Sequence, residues 1–372
     1  MMPYYKRLTE LDAGAERRTI ERILALRKEL DRQVPRRSAH QLLVATWNIR
    51  EFDAPAYGDR GLEPLYYIAE IVSHFDLVAV AEVRSDLRAL ERLMDLLGSR
   101  WCYLVTDVTG GNAGNDERLA VLYDSETVSF GGLSGEMVVP PVETKDDQGR
   151  TVEVPAEQFA RTPLLAGFKS EWLKFMVGVL HVRWGEGKAA PEKELRTLIE
   201  QISTRDGSTE WARDLVLLGD FNIGSPQDTV WEALREQGWT IPPDFAEGIK
   251  GSNVAQDKYY DQIALRPREH WFELSVPGTD RSAAGVFNYY DVVYRAEEDF
   301  ETYVPVMLAH KPGATRSNFT FDSRGQRRSE ASQRRWYRDH WRTHQMSDHL
   351  PLWVSLRSDY ADDYLTHELA RL

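Results

Sequence analysis

In Asp214-Leu215-Val216-Leu217-Leu218-Gly219-Asp220-Phe221-Asn222, an apolar run of strand length stops at a glycine, and an acid and an amide follow two residues apart. Alternate side chains of a strand share a face, so Asp220 and Asn222 are expected to point into one cleft while Phe221 turns into the core. Carboxylate and carboxamide oxygens suit a hard cation and a phosphate. Taken alone, the same residues also describe a buried strand that ends in a turn. Other apolar runs stop in the same way, and together their ends supply Asn48, Glu82, His181, Asp220, Asn222, Asp261, Asp348 and His349. Oxygen donors of these types match Mg²⁺, Mn²⁺ or Ca²⁺, whereas zinc would require more His or Cys. Two imidazoles and several acids add groups that can activate water and steady a charged phosphorus centre. The set is equipment for metal-assisted phosphoester hydrolysis.

A blander account exists for each member. His40, His74, His270 and His367 lack such neighbours and read as surface or satisfied core residues. Asn48 on its own is equally a turn residue. Glu82 is harder to dismiss, because a carboxylate in an apolar strand is costly to bury without a cation or a cationic residue beside it.

The elements that must position these groups follow from periodicity. Residues 14–34 read as an amphipathic helix with Ile20, Ile23, Leu24 and Leu30 on one stripe and Pro35 ending it. Strands are expected at 41–47, 76–83, 101–108, 119–123, 164–169, 172–182, 214–220, 260–265, 270–276 and 352–356. Helices are expected from Pro64, at 87–97 with Gly98 as the stop, at 192–204, from a cap at Asp228 to Gly238, and in the tail beyond Asp359. Residues 129–160 read as hairpins and loops. Helices and strands alternate early and hairpin-like pairs dominate later, which implies mixed sheets, two of them packed face to face with helices outside.

Composition narrows the function classes. The chain of 372 residues carries a net charge of −13, which opposes diffuse attraction to a polyanion and leaves that task to local patches. One patch runs from Lys311 to His344, where eight arginines are interleaved with Phe319, Phe321, Trp336, Tyr337 and Trp341. It reads either as a solvated loop followed by an amphipathic helix or as a nucleic-acid-binding loop. Cys102 is the sole cysteine, so an intramolecular disulfide is excluded. No apolar run is long enough to span a membrane, and the start leads into a charged helix, so a cytoplasmic protein without membrane association is expected. The expected organisation is an N-terminal helical extension over residues 1–38, one domain over 39–358 with the basic insertion at about 311–345, and a C-terminal helix over 359–372.

The ordered set Thr46-Trp47-Asn48, Ala81-Glu82-Val83, Gly219-Asp220-Phe221-Asn222 and Ser347-Asp348-His349 resembles the endonuclease/exonuclease/phosphatase superfamily from about Gln41 to Leu356. Within it the motifs are most similar to those of deoxyribonuclease I: Asn48-Ile49-Arg50-Glu51-Phe52, Glu82-Val83-Arg84, Glu117-Arg118 before a strand, Arg161-Thr162-Pro163 and Tyr260-Asp261-Gln262-Ile263. The resemblance implies a four-layer α/β sandwich of two packed mixed sheets flanked by helices. It implies that Glu82 binds the catalytic cation with Asn48 and Asp348 nearby, and that His181 and His349 form an acid/base pair oriented by Glu117 and Asp261. Asp220 and Asn222 would position metal, water and phosphate, while Arg50 and Arg84 would reach DNA and Arg161 would face the phosphate. Mg²⁺ is the implied cofactor, with Mn²⁺ as a substitute and Ca²⁺ in a structural role.

Three departures accompany it. The family tyrosine shortly before Glu-Arg is replaced near Asn115, Gln262 stands where an arginine is expected, and a secretory leader and disulfides are absent from the pattern. The expected activity is an intracellular, divalent-metal-dependent DNA endonuclease that leaves 5′-phosphate and 3′-hydroxyl ends. The alternatives are a phosphomonoesterase or phospholipid phosphodiesterase of the same superfamily, and a non-catalytic binding module.

Overall fold

Along Gln41–Phe52 the side chains of Leu42 and Val44 enter one apolar cluster, and those of Leu43, Ala45 and Trp47 enter another. All five are fully buried. A strand with two dry faces must be covered on both, which places it inside a layered stack. The same division repeats in Leu77–Arg84 and Glu117–Asp124. A computed structural model describes residues 3–53, 59–183, 189–204, 214–225, 229–246, 250–267, 272–276, 278, 282–309 and 317–372.

The strands, in chain order, are β1 (Gln41–Phe52), β2 (Leu77–Arg84), β3 (Trp101–Val105), β4 (Glu117–Asp124), β5 (Ser129–Glu136), β6 (Val142–Lys145) and β7 (Thr151–Val154). They continue with β8 (Leu164–Ser170), β9 (Leu173–His181), β10 (Asp214–Asp220), β11 (Asp261–Arg266), β12 (Ala284–Val286) and β13 (Leu352–Arg357). One sheet has the order β12-β13-β1-β2-β4-β3 and the other β11-β10-β9-β8-β5, with β6-β7 a separate hairpin. β1 runs parallel to β2 and β9 parallel to β10, while the remaining pairs are antiparallel, so both large sheets are mixed. One apolar cluster fills the space between them and lies under the helices Ala189–Thr204 and Val230–Glu236. The other joins the outer face of the six-stranded sheet to the helices Ala13–Gln33, Leu62–Val72 and Arg88–Leu97.

Register delivers the polar strand ends to one place. Asp220 at the end of β10 lies opposite His181 in β9 and opposite Asp261 in β11. In the other sheet Asn48 lies opposite Ala81, the residue before Glu82. Beyond Asn48 and beyond Val80 the registers shift, and these irregularities release Glu51 and Glu82 from ordinary strand geometry.

Several expectations need correction. The N-terminal helix buries Ala15, Thr19, Ile23, Leu26 and Leu30 at helical spacing, whereas Ile20 and Leu24 are exposed; its apolar stripe is rotated from the one expected. Asp12 caps it, accepting the backbone N–H groups of Gly14 and Ala15 at 3.0 and 2.9 Å. Of the strand expected over 270–276, residues 270–271 lie outside the described residues, and the rest contributes an isolated bridge between Leu274 and Leu356. Asp228 also lies outside them. Strand β12 and the helix Phe300–Ala309 were not foreseen, the first being short and the second carrying Pro305 in its interior.

The basic segment folds mainly as a helix. Glu330–Trp336 leads through a π-helical turn, Tyr337–Trp341, into Arg342–Gln345. Phe319, Trp336, Tyr337 and Trp341 are buried in the outer core, so these rings are spent on packing and only Phe321 of the interleaved aromatics is exposed. Arg342 is buried and donates to the carbonyls of Arg338 and Tyr294, and Arg334 pairs with Glu301 and Glu330 while lying over Phe300. Lys311 and Arg316 lie outside the described residues.

Gly219 is required by both conformation and space. Its φ is +142°, and a Cβ there would lie 1.9 Å from the Leu180 carbonyl oxygen. Gly219→Ala is therefore expected to remove at least about 2 kcal/mol of unfolding free energy in urea denaturation. A wild-type midpoint would show that β9 and β10 do not meet as described.

Candidate active site

The site begins at a single oxygen. Asp220 Oδ2 lies 3.1 Å from Asn48 Nδ2, 3.6 Å from His181 Nε2 and 3.9 Å from His349 Nε2. The other oxygen, Oδ1, accepts the Asn222 backbone N–H at 2.9 Å. Asn48 belongs to the six-stranded sheet and His349 to the segment that enters its strand β13, whereas Asp220 and His181 belong to the five-stranded sheet, so the cleft closes across the sandwich. The same Asn48 amide donates to Glu82 Oε1 at 2.9 Å, and Glu82 Oε2 accepts the Glu51 backbone N–H at 2.7 Å. Of the two partners expected beside Glu82, a cation or a cationic residue, its hydrogen bonds show neither: they come from the Asn48 side-chain amide and the Glu51 backbone N–H.

Each imidazole has a carboxylate behind it. His349 Nδ1 is hydrogen-bonded to Asp261 Oδ2 at 2.6 Å, and His181 Nδ1 lies 3.1 Å from Glu117 Oε2. A carboxylate at Nδ1 fixes the tautomer that leaves Nε2 facing the cleft. Burial opposes the charged form of both rings, but Asp261 and Asp220 raise His349 well above its ordinary range, and Glu117 and Asp220 raise His181. Burial likewise works against ionised Glu117, yet His181 and Arg161 outweigh it and bring the carboxyl down to about 2. Asp261 goes the other way: burial raises it, although His349 pulls in the opposite direction.

The arginines are drawn inward. Arg161 Nε donates to Glu117 Oε2 at 2.6 Å, and Arg84 Nη1 lies 3.6 Å from Glu117 and 3.7 Å from Glu51. Arg50 donates to Thr343 Oγ1 at 2.5 Å and lies 3.7 Å from Asp348. Asp348 is accordingly held at Arg50, with its side chain 46% exposed, rather than in the Asn48–Glu82 contact. Asn222 departs from the simple alternation expected of it: strand β10 ends at Asp220, Asn222 takes a left-handed φ of 52°, and its amide donates to the Val182 carbonyl at 2.6 Å. Phe221 does turn into the core.

Other residues join the site without any signal in spacing. Buried Arg60 donates to Asp53 and to the carbonyls of Glu51, Gln345 and Met346, and so ties the bulged end of β1 to the segment that precedes His349. Ser347 Oγ donates to the Asn48 carbonyl at 2.6 Å and accepts the backbone N–H groups of Arg50 and His349. The Tyr289 hydroxyl contacts the carbonyls of Ser347 and His349 at 2.9 Å each. Asn115, standing near the position of the family tyrosine, donates to Glu117 Oε1 at 2.5 Å. A cleft of about 630 Å³, bordered by Thr109, Ala160, Arg183 and Glu194, reaches the residue before Arg161 and is lined by none of the side chains gathered at Asp220.

The donor set fits a hard divalent cation. Asn48 Oδ1 is buried with no hydrogen-bond partner, and two carboxylates, Glu82 and Asp220, meet at the same amide. Three oxygen-bearing side chains in so confined a space are compatible with Mg²⁺ or Mn²⁺. Asp220, Asp261 and His349 also approach one another closely enough to share an ion, but His349 Nδ1 is taken up by Asp261 Oδ2, which leaves only Asp261 Oδ1 buried without a hydrogen-bond partner. The oxygen-rich side is the better match.

These shifts set a pH dependence for the metal-free protein. His181 and His349 titrate above 6.5 when folded, so their contribution is complete below about 6.5 and is lost as pH rises through the folded values. Glu117 titrates at about 2 when folded, so its contribution is present above about 4.5 and is lost as pH falls toward 2. Tm in EDTA is expected to be greatest between about pH 4.5 and 6.5, with the acid limb flattened in Glu117→Gln. A Tm that rises steadily from pH 6 to 9 would contradict the described ion pairs.

No protein-family model matches the sequence, and comparison with curated proteins gives no match. Solved structures do resemble it. The human Nocturnin catalytic domain with bound sulfate anion aligns over 85% of this chain and 94% of its own, at 12% identity and a TM-score of 0.50. An endonuclease/exonuclease/phosphatase family protein from Bacteroides thetaiotaomicron aligns over 86% and 98%, at 17% identity and a TM-score of 0.49. D. rerio TDP2 complexed with single strand DNA product aligns over 85% and 99%, at 10% identity and a TM-score of 0.49. The likeness is one of architecture: two mixed sheets flanked by helices, the fold of the deoxyribonuclease I-like endonuclease/exonuclease/phosphatase proteins.

Proposed function

We propose that the cleft hydrolyses phosphoesters with the help of a divalent cation, and that its substrate is a phosphodiester of DNA, cut to leave 5′-phosphate and 3′-hydroxyl ends. The observation that carries this reading is the convergence of two carboxylate-backed imidazoles on Asp220 Oδ2, beside the Asn48–Glu82 pair. Hydrolysis requires one group to take a proton from water and another to give one to the leaving oxygen. Two imidazoles facing one carboxylate oxygen, His181 from the neighbouring strand and His349 from the segment before β13, meet that requirement. One Nε2 accepts the water proton as the water oxygen bonds to phosphorus. The other, protonated, gives its proton to the ester oxygen as the P–O bond breaks.

Asn48, Glu82 and Asp220 would hold the cation, with Asp348 nearby through Arg50. When bound, the cation supplies charge neutralisation at the phosphoryl oxygens. Asp220 and Asn222 keep the water and phosphate side of the cleft polar, and Glu117 and Asp261 hold the imidazoles in one tautomer. Arg161 and Arg84, already against Glu117, are close enough to trade that partner for a phosphate oxygen. Mg²⁺ is the expected ion, Mn²⁺ a working substitute. Arg50 and Arg84 are the proposed DNA contacts, with a cytoplasmic, membrane-free setting; among the described residues no helix is long and apolar enough to cross a membrane.

A second reading keeps the chemistry and changes the substrate to a small phosphomonoester. It is favoured by the burial of Phe319, Trp336, Tyr337 and Trp341, which removes the stacking surface the basic segment would have offered to bases. The two separate in one experiment: supercoiled plasmid and small phosphate esters, each with Mg²⁺, Mn²⁺, Ca²⁺ or EDTA. Metal-dependent nicking is expected, and His349→Ala is expected to lower its rate by about 10² or more in protein that circular dichroism shows to be folded at the assay temperature. Glu82→Gln is expected to raise the Mg²⁺ concentration needed for half-maximal rate. Phosphate release with intact plasmid would favour the second reading, and full activity of His349→Ala would overturn both.

A further inference from the structure

Resting on that reading, we infer that Thr343 is a positioning residue for Arg50, and that the π-helical turn Tyr337–Trp341 exists to place its hydroxyl there. Arg50 stands two residues after Asn48, where β1 leaves its register with β2. A side chain of this length loses much rotamer freedom when fixed, so each contact that holds the guanidinium has an entropic cost to offset. Arg50 Nη1 nevertheless donates to Thr343 Oγ1 at 2.5 Å, and Thr343 is buried.

The helix prepares the acceptor. In the π-helical turn the Arg342 N–H bonds to the Tyr337 carbonyl, five residues back, which inserts one residue into the helical ladder. Thr343 Oγ1 then lies 3.1 Å from both the Asp339 and the His340 carbonyl oxygens. A hydroxyl has one proton; given to either carbonyl, it turns the oxygen's lone pairs toward Arg50. The arginine therefore meets an acceptor of fixed orientation rather than a free rotor. Asp348 lies 3.7 Å from its Nε and completes a fork around the guanidinium.

The same segment grips the backbone beneath this side chain. Ser347 accepts the Arg50 N–H at 3.0 Å, and Arg60 joins the Glu51 carbonyl to those of Gln345 and Met346. Thr343 is the part of this clamp that touches the Arg50 side chain without touching the cleft. Loss of its hydroxyl should loosen the guanidinium while leaving both imidazole pairs as they are.

The test compares Thr343→Val, which removes the hydroxyl, with Thr343→Ser, which keeps it and removes the methyl. Two readouts are used on the full chain. The first is independent of activity: the rate at which phenylglyoxal modifies Arg50, followed by peptide mass spectrometry. It is expected to rise several-fold in Thr343→Val and to return toward wild type in Thr343→Ser. The second is KM against kcat for whichever phosphoester the wild type cleaves: Thr343→Val should lose about tenfold in kcat/KM, chiefly through KM, and Thr343→Ser should recover most of it. An Arg50→Ala, Thr343→Val double variant should be no worse than Arg50→Ala alone. An unchanged modification rate in Thr343→Val, or equal losses in the Val and Ser variants, would overturn the inference. Absence of phosphoester cleavage by the wild type would overturn the functional reading instead, and the modification rates would still decide the role of Thr343. Should Thr343→Val not fold, modification at the wild-type rate in Thr343→Ser supports the hydroxyl contact, and a rate raised several-fold there overturns it.

Discussion

The structure depends on holding several carboxylates at one crowded junction between two sheets. Glu82, Asp220, Glu117 and Asp261 reach it from β2, β10, β4 and β11, and Glu51 lies against Arg84 at its edge. Two like charges 4 Å apart repel by about 4 kcal/mol at an effective dielectric constant near 20, which is comparable to the whole stability of a small domain. The compensation is specific. Glu117 has Arg161, Asn115 and His181, Asp261 has His349, and Glu82 and Asp220 share one Asn48 amide. Only the last pair is joined by a neutral group. Buried oxygens without a hydrogen-bond partner remain there on Asn48 and, beside His349, on Asp261.

The backbone around the junction carries a second cost. Glu51, Asp53, Glu82 and Asn222 adopt positive φ without being glycine, and all four lie at the ends of strands that feed the site. Each such residue costs of order 1–3 kcal/mol and persists only where its surroundings leave no alternative. Here the surroundings are identifiable: Arg60 on Glu51 and Asp53, the Asn48 amide and the Glu51 N–H on Glu82, and the Val182 carbonyl and Asp220 on Asn222. Strain and charge crowding coincide in the same few residues, which is how a preorganised cleft differs from an ordinary strand terminus.

What could be read from the sequence follows from this physics. The residues that end each apolar run named Asn48, Glu82, His181, Asp220, Asp261 and His349 together; parallel pairing brings Asn48 near Glu82 and His181 beside Asp220, while Asp261 arrives at the start of an antiparallel strand and His349 from the segment before β13. Asn222 escaped the rule of alternation, since a left-handed residue breaks the period of two on which the rule rests. The basic segment left two readings open, of which a loop followed by an amphipathic helix describes residues 317–345. Arginine spacing shows charge, but whether the aromatics between arginines face solvent or core depends on a π-helical turn that shifts the helix phase within five residues. The N-terminal stripe failed by one step of helical phase, with Leu26 buried and Leu24 exposed. Arg60 and Thr343 had no legible signal at all, because their partners are backbone carbonyls and a guanidinium hundreds of residues away in the chain.

That distance has a consequence for how the site comes into being. β13 pairs antiparallel with β1, so the last strand of the chain lies beside the first, and Trp47 donates to the His349 carbonyl at 3.0 Å across this junction. Asn48 cannot take its position against Asp220 until β1 is bounded by both β2 and β13, and His349 cannot meet Asp261 until β13 is docked. Contacts of such sequence separation form late, after shorter loops have closed. Until they form, the carboxylates are dispersed on the ends of incomplete sheets where water screens them. The crowded junction exists only when both pairings are made, and it is held by elements whose apolar faces are committed to the two cores. Burial of those faces supplies the free energy, and the cleft inherits its geometry from the register of strands that had no other way to pack.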